Sequence, residues 1–344
     1  MSRAPDRGAP SAPPPVVVHM FPGQGDFSVT PLVRAVRTRP VVRAAAAEVF
    51  ARIDEVSDGY GIPALGPALL GDRPPSGREL AAGPVGTPQV ALFGAALTVH
   101  RALCAAGAVP ERMVAVSFGE IAALTAAGVW SPADGTHIAC RLSRYLAHCR
   151  GGMTLLAAGE SEARRLIDTA GSRRTVVACV NDPDTTVLSG PSLELRQVER
   201  CAGDRGVGAA PLRLSFASHH PSLTAEAEGF AAAIRTLTPR PAHTMVYSAV
   251  HGGPYGKTDD LHQALADCLT RPARLPRVLA RATDAGPALL LETGIGETLT
   301  RSARRVLSQR EGVRAHSPLA DPDFPWDRPR RLLLTDAPRQ GAIT

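Results

Sequence analysis

Apolar runs separated by short turns dominate the chain from residue 16 onward. Valines at 16–18 predict a short buried strand, and the glycines of residues 23–25 (GQG) end it sharply. Residues 89–103 are apolar on nearly all sides, which predicts a buried helix, and residues 113–116 predict the next buried strand. A turn at Ser117 and another helix follow, so the pattern alternates strands with helices.

Shorter units begin near residue 153. Their order is strand, helix, strand, strand, helix and a last strand near residues 210–216, which is typical of a small ferredoxin-like domain. After it we predict a helix near 223–237, strands at 244–248 and 288–292, and a helix from about 297. The sequence therefore predicts an α/β fold with a mostly parallel sheet, in which residues 152–219 are inserted between large-domain segments 16–151 and 220–315.

The two ends of the chain differ in composition from the rest. Residues 1–15 are rich in Pro and Arg and lack the apolar run of a signal peptide, so we expect a disordered tail. Residues 316–344 are expected to form a C-terminal tail. No stretch offers about 18 uninterrupted apolar residues, which predicts a cytoplasmic protein without a membrane partner.

Charge and cysteine content narrow the function classes. The net charge is +6 and Lys257 is the only lysine, so the basic surface consists of arginines, which favour carboxylate or phosphate partners. No aromatic-interleaved basic run indicates nucleic-acid binding. The six cysteines form no CxxC pair and have no partnered histidine spacing, so we expect reduced thiols and no metal site.

Ser117 has two interpretations on local pattern alone. A nucleophile on a strand-to-helix elbow needs small neighbours, usually as G-x-S-x-G, whereas residues 115–119 read AVSFG. Alternatively, Ser117 caps the following helix in a capping box with Glu120. The segment alone does not decide between the two.

Six further motifs bear on this choice. They are FPGQG (21–25), SFGEIAAL (117–124), VND (180–182), FASHHP (216–221), VYSAV (246–250) and LLETG (290–294). In order and spacing they resemble malonyl-CoA:acyl-carrier-protein transacylases and the acyltransferase domains of polyketide synthases, from about residue 16 to 307. The resemblance implies an α/β-hydrolase-like large domain with an inserted ferredoxin-like subdomain.

The resemblance also implies catalytic roles. Ser117 would be the nucleophile and His219 its general base, with a backbone carbonyl from the turn near 292–294 as third member. The backbone N–H groups of Gln24 and Phe118 would form the oxyanion hole. An imidazole is needed because a hydroxyl is a poor nucleophile until its proton is accepted.

Two departures from the family pattern concern the acyl pocket. Val116 replaces the histidine of the family's GHS, and Leu142 stands 25 residues after Ser117, where extender-loading members have an arginine for the substrate carboxylate. Arg141 is adjacent, and a one-residue deletion would restore it. Helical periodicity favours Leu142, because it shares an apolar face with Ile138, whereas Arg141 lies on a polar face.

A third departure is the FASH motif at 216–219, where malonyl-selective domains tend to have HAFH. Ser218 would widen the site beside the histidine, while Phe118 limits it from the other side. We expect Val116, Leu142, Phe216, Ser218 and Gln89 to line the acyl pocket. The implied substrate is an acyl group without a terminal carboxylate, because a buried unpaired carboxylate costs several kcal/mol.

These expectations define an enzyme and its partners. We predict a free-standing monomeric acyltransferase of natural-product assembly, with no bound cofactor, that takes acyl groups from acyl-CoA or a carrier protein to a carrier-protein thiol or a scaffold hydroxyl. Acidic carrier proteins would dock on arginines, for which the candidates are Arg144, Arg150, Arg301, Arg304 and Arg305. The alternatives are an editing hydrolase, a carrier-binding scaffold without activity, and malonyl loading if Arg141 replaces the missing arginine.

Overall fold

The computed structural model describes residues 15–25 and 27–333. The predicted tail at 1–15 therefore lies, apart from its last residue, outside the described residues, as does the end of the C-terminal tail from 334. In the described part of the chain, no helix is long and apolar enough to cross a membrane.

The predicted strands and helices occur in the predicted order, and four helices that were not predicted precede the one expected at 89–103. The strands are β1 (Val16–Phe21), β2 (Arg112–Ala115), β3 (Gly152–Leu156), β4 (Val176–Asp182), β5 (Thr185–Gly190), β6 (Ala209–Pro211), β7 (Met245–Ser248), β8 (Gly253–Pro254), β9 (Ala273–Arg274), β10 (Ala288–Glu292) and β11 (Val313–His316). The helices are α1 (Thr30–Thr38), α2 (Pro40–Ser57), α3 (Leu65–Leu70), α4 (Gly77–Ala81), α5 (Thr87–Ala105), α6 (Gly119–Ala126), α7 (Pro132–Leu146), α8 (Glu160–Thr169), α9 (Ser192–Asp204), α10 (Thr224–Ile234), α11 (Leu261–Thr270), α12 (Leu275–Ala282) and α13 (Thr298–Val306). Short 3-10 turns lie at Asp58–Tyr60, Pro221–Leu223 and Pro329–Leu333.

The larger sheet has the order β11-β10-β1-β2-β7-β8 and is parallel except at the β7–β8 edge. Strands β1 and β2 are neighbours, with Phe21 opposite Ala115. Parallel strands end at the same edge of a sheet, so the turns that follow β1 and β2 lie side by side. The FPGQG motif and Ser117 both follow these strand ends.

The smaller sheet has the order β6-β3-β5-β4-β9. Its first four strands pair antiparallel, and β9 joins β4 in parallel after the chain has returned to the larger sheet. The last predicted strand, 210–216, is wrong in extent: β6 ends at Pro211, and residues up to Phe216 are irregular. Pro211 has no N–H with which to continue a ladder.

Alternate residues along the central strands face two cores. Val17 and Phe21 point to the cluster formed with α2, α5, α6 and α7, whereas Val18 and Met20 point to the cluster formed with α12 and α13. The segment after β11 also contributes to the first cluster through Phe324 and Trp326, which are buried. The described part of the expected C-terminal tail therefore packs on the domain.

The rotation of helix α7 decides whether Leu142 or Arg141 faces the core. The helix begins with a capping box between Ser131 and Asp134, which fixes its start and its rotation. Leu142 is buried in the first core, together with Ile138, as the periodicity predicts.

Candidate active site

Ser117 lies on a tight elbow between β2 and α6. Its φ of 55° is in the left-handed region, which costs a non-glycine residue energy. The elbow depends on Gly119, because a Cβ there would lie 2.2 Å from the carbonyl oxygen of Phe21. A Cβ at Gly23 would lie 3.4 Å from the Ser117 Cβ. The FPGQG turn therefore packs directly against the elbow.

His219 meets Ser117 from the segment that follows β6. It is 2% exposed, its φ is 56°, and its Nε2 lies 2.8 Å from the Ser117 Oγ. Its Nδ1 lies 2.6 Å from the carbonyl oxygen of Arg271. A carbonyl only accepts hydrogen bonds, so Nδ1 carries the proton and Nε2 presents a lone pair to the serine hydroxyl. Burial lowers the pKa of His219 to about 4, so the imidazole is neutral at pH 7.

The predicted source of the carbonyl that orients the histidine is wrong. Arg271, at the end of α11, supplies it, and not the turn at 292–294. That turn supports the FPGQG motif instead: a Cβ at Gly294 would lie 2.3 Å from the Pro22 Cγ. The Glu292 carboxylate accepts from the backbone N–H of Thr300, and burial raises its pKa to about 7.

The capping interpretation of Ser117 is contradicted by its contacts. The cap position of α6 is Phe118, without a side-chain hydrogen bond, and the Ser117 Oγ contacts His219. Glu120 is fully buried and accepts hydrogen bonds from the Ser248 hydroxyl at 2.6 Å and from the Tyr255 hydroxyl. Burial raises the pKa of Glu120 to about 7. Glu120 therefore holds α6 to the end of β7 and to the segment after β8, a role that no sequence pattern indicated.

The predicted oxyanion donors lie beside the serine. Gln24 and Phe118 both line the cavity at Ser117. Among the described residues, neither backbone N–H donates to a protein acceptor. The Gln24 Oε1 accepts from Gln89 Nε2 at 2.8 Å, which holds the FPGQG turn to α5. Two free N–H groups beside a hydroxyl can stabilise negative charge on an acyl oxygen.

A narrow cavity adjoins Ser117. Its walls are mainly apolar and come from α6, α7, α10 and α11. The lining residues are Gln24, Ser117, Phe118, Ile121, Leu142, Leu146, Ser218, Phe230, Leu265, Cys268 and Leu269. Its volume is about 10 Å³, which is room for one water molecule. A wider groove of about 690 Å³ reaches His219 from the side of α8 and Pro221.

Leu142 and Arg141 point to different places. Leu142 lines the cavity, whereas the Arg141 Nη1 donates to the Ala233 carbonyl at 2.5 Å and lies 3.4 Å from the Thr236 hydroxyl. Within the described residues, no arginine or lysine lines the cavity. The cavity wall thus has no cation to pair with a carboxylate.

Three of the five predicted pocket residues lie elsewhere. Val116 belongs to the core of the opposite sheet face, together with Val114, because side chains alternate across the sheet. Phe216 packs in the first core, and Gln89 contacts the Gln24 side chain. Cys268 does line the cavity, with its Sγ 4.0 Å from the Ser117 carbonyl oxygen, although no sequence pattern indicated it.

The five predicted docking arginines do not form one cluster. Arg144 stacks over the Tyr60 ring at 4.6 Å on α7, and Arg150 is exposed just beyond that helix. The other three lie on α13, where Arg304 donates to the Ala315 carbonyl and Arg305 contacts Asp182. Arg301 lies 3.8 Å from Glu297. Carrier docking on these residues stays a prediction.

Comparisons with known proteins agree with this geometry. The profile of the acyl transferase domain family matches residues 20–320. The chain is 30% identical over 302 residues to the erythronolide synthase EryA3 of Saccharopolyspora erythraea, which covers 86% of this chain and 9% of that synthase. The chain therefore spans less than a tenth of that curated relative's length.

Solved structures share the fold. The malonyl-CoA:acyl carrier protein transacylase FabD of Xanthomonas oryzae is 26% identical with a TM-score of 0.75, covering 89% of this chain and 95% of that one. The acyltransferase domain of the polyketide synthase PpsC of Mycobacterium tuberculosis has a TM-score of 0.76 at 22% identity, over 88% of this chain and 90% of that one, a likeness of fold alone. The chain belongs to the acyl transferase domain family and is an acyltransferase.

Proposed function

We propose that this protein transfers an acyl group without a terminal carboxylate from a CoA or carrier-protein thioester, through an ester on Ser117, to a carrier-protein thiol. The observation that carries the substrate class is the position of Leu142. It lines the cavity at Ser117, while the neighbouring Arg141 is bonded to the Ala233 carbonyl. The cavity of about 10 Å³ must widen to admit an acyl group. A substrate carboxylate buried there would lose its hydration without gaining a cation from the described lining residues, which costs several kcal/mol.

The first half-reaction follows from the hydrogen bonds at Ser117. The Oγ attacks the thioester carbonyl while His219 Nε2, 2.8 Å away, accepts the hydroxyl proton. The Arg271 carbonyl stabilises the imidazolium through Nδ1–H. The developing oxyanion accepts from the backbone N–H groups of Gln24 and Phe118. The C–S bond then breaks, and the same proton passes from His219 to the leaving thiolate.

The second half-reaction runs in reverse with a new thiol. The acceptor thiol gives its proton to His219, its sulfur attacks the Ser117 ester, and the C–O bond breaks as the proton returns to Oγ. The wide groove at His219 offers a path for the arm that carries the thiol. Each step uses only groups of the chain, the thioester donor and the thiol acceptor, so the proposed reaction needs no resident cofactor.

We include in the proposal that the two sheets belong to parts of the fold with different roles. The larger, mostly parallel sheet would be the α/β-hydrolase-like part, which supplies Ser117 and Gln24. The smaller sheet, with the strand order β6-β3-β5-β4 and connections through α8 and α9, would be the ferredoxin-like part. His219 is the last residue of that part and follows its last strand, β6, so the boundary at 219–220 sets the relative position of nucleophile and base.

The test is to mix the protein with pairs of acyl-CoAs and acyl carrier proteins and to follow the intact mass of both proteins. An ester on Ser117 that moves to the carrier is expected. Rapid loss of the ester to free acid would favour an editing hydrolase, because water would then resolve the intermediate. No ester with any donor would leave only a binding role and would contradict the proposal.

A further inference from the structure

A second cluster of reactive side chains lies away from Ser117. His19 projects from β1, and His100 and Cys104 share one face of α5 at i and i+4. The Nδ1 atoms of His19 and His100 are 3.0 Å apart, and the Cys104 Sγ lies 3.8 Å from the His100 Nε2. The three potential ligand atoms all lie within 4.8 Å of one another.

His19 is oriented as a metal-bound histidine usually is. Its Nε2 lies 3.0 Å from the Ala108 carbonyl oxygen, so Nε2 carries the proton and the Nδ1 lone pair faces His100. Histidine ligands commonly donate their second N–H to a backbone carbonyl in this way.

We propose that His19, His100 and Cys104 bind one divalent ion of the zinc class. Two imidazole nitrogens and one thiolate form a donor set that zinc prefers. Tetrahedral Zn–N and Zn–S bond lengths require ligand atoms about 3.3–3.7 Å apart. The observed separations are 3.0 Å between the two Nδ1 atoms and 3.9 Å between the His100 Nδ1 and the Cys104 Sγ. They differ from these values by a few tenths of an ångström, which side-chain rotation can supply.

Binding needs one proton to leave. The Cys104 thiol loses its proton to solvent as the S–metal bond forms. Without the ion, the His100 Nδ1–H donates to the His19 Nδ1, so the single proton of His100 moves to Nε2 as its Nδ1 binds the metal. Cys104 is partly exposed, so the ion has a path from solvent, and water would take the fourth position. The neighbouring Arg101 is paired with Glu48 at 3.0 Å, which offsets its positive charge.

The ion would link two elements of the acyl site. Strand β1 continues directly into the FPGQG turn, and α5 carries Gln89, whose side chain bonds Gln24. A metal bridge between β1 and α5 would therefore stabilise the fold around that turn. The prediction of no metal site rested on the cysteines, which form no CxxC pair and have no partnered histidine spacing. His19 lies 81 positions from His100, so only the fold brings it to this pair.

The experiment uses the full chain without an affinity tag, stripped with a chelator and then titrated with Zn²⁺ or Co²⁺. We expect one equivalent of metal per chain after gel filtration, a thiolate-to-cobalt charge-transfer band with Co²⁺, and a higher melting temperature with Zn²⁺. Cys104→Ser and His100→Gln are each expected to lose the bound equivalent of metal. Cys104→Ser is also expected to lose the thiolate-to-cobalt charge-transfer band. Cys201→Ser, which changes a partly exposed thiol on α9, is the matched control and should keep both.

Alkylation of the unmodified protein keeps the test decisive if a variant fails to fold. Zn²⁺ should slow iodoacetamide labelling of Cys104 at least tenfold and leave labelling of Cys201 unchanged. Substoichiometric metal, equal binding by Cys104→Ser, or unprotected Cys104 would overturn the proposal. Acylation of Ser117 is measured separately by intact mass, so the result of the metal-binding test does not depend on whether the acyl-transfer proposal is correct.

Discussion

Ser117 and His219 are the only non-glycine residues in the described part of the chain with positive φ, and their side chains meet at 2.8 Å. Each sits in a conformation that costs an ordinary residue about 1–3 kcal/mol. Ser117 is held there by the close approach of Gly119 to Phe21, and His219 by its bond to the Arg271 carbonyl. Both residues of this hydrogen bond are strained. The surrounding structure therefore holds the Ser117 and His219 side chains in contact.

Removing either side chain should abolish ester formation. We expect Ser117→Ala and His219→Ala each to lower the rate of protein acylation by about 10³-fold or more, because the two side chains act as a hydrogen-bonded pair and each needs the other. Intact mass after mixing with an acyl-CoA measures the ester. Ser218→Ala is the matched control, since Ser218 lines the same cavity but bonds only the Cys268 carbonyl. Loss of the ester in the control as well would count against the assignment.

The acid limb of kcat/KM should reflect His219. Its pKa is lowered to about 4, so the base is neutral above this pH and becomes protonated, and inactive, as the pH falls through 4. We expect kcat/KM to be independent of this group from pH 5 to 8. Burial raises the pKa of Glu120 to about 7, so a limb near 7 that disappears in Glu120→Gln would belong to Glu120. A limb near 7 that persists in Glu120→Gln would contradict the role given to His219.

Gly119 should be intolerant of any side chain. A Cβ there would come within 2.2 Å of a backbone oxygen, so Gly119→Ala must displace the FPGQG turn. We expect a loss of more than about 2 kcal/mol in the free energy of unfolding, measured with urea. Gly203→Ala on α9 is the control: its Cβ would meet nothing within 4 Å, and alanine there should be neutral or stabilising. Equal effects of the two changes would refute the packing argument.

The order of strands and helices could be predicted because it depends on local hydrophobic periodicity. The same periodicity placed Leu142 on the buried face of α7, and the capping box at Ser131 fixed that helix in register. Ala115, which departs from the glycine of the usual elbow, is a paired and buried strand residue, so the sharp turn begins after it. These features follow from neighbours in the sequence.

Contacts between distant segments could not be predicted. The Arg271 carbonyl bonds His219 across 52 positions, and backbone carbonyls leave no mark in a sequence. Val116 was expected in the pocket because it adjoins Ser117, yet the strand alternation turns it to the opposite core. The contacts of Cys268 and Glu120 likewise depend on how α11 and β7 pack against α6.

Changes at 141 and 142 should act differently on donor choice. Arg141→Ala removes a bond to the Ala233 carbonyl outside the cavity, so the ratio of carboxylated to uncarboxylated donors should stay the same. Leu142→Arg places a guanidinium in the cavity, where it can pair with a carboxylate, and should raise that ratio at least tenfold. Ser117 acylation with each donor measures both. A changed ratio in Arg141→Ala would show that Arg141 serves the substrate.

The most direct test of the substrate class is a competition between propionyl-CoA and methylmalonyl-CoA at equal concentration, which differ only in one carboxylate. Intact mass of the protein at short times gives the two Ser117 esters. We predict that the propionyl ester predominates by at least tenfold, because no cation among the described residues that line the cavity offsets burial of the free carboxylate. Predominance of the methylmalonyl ester would contradict the proposed specificity.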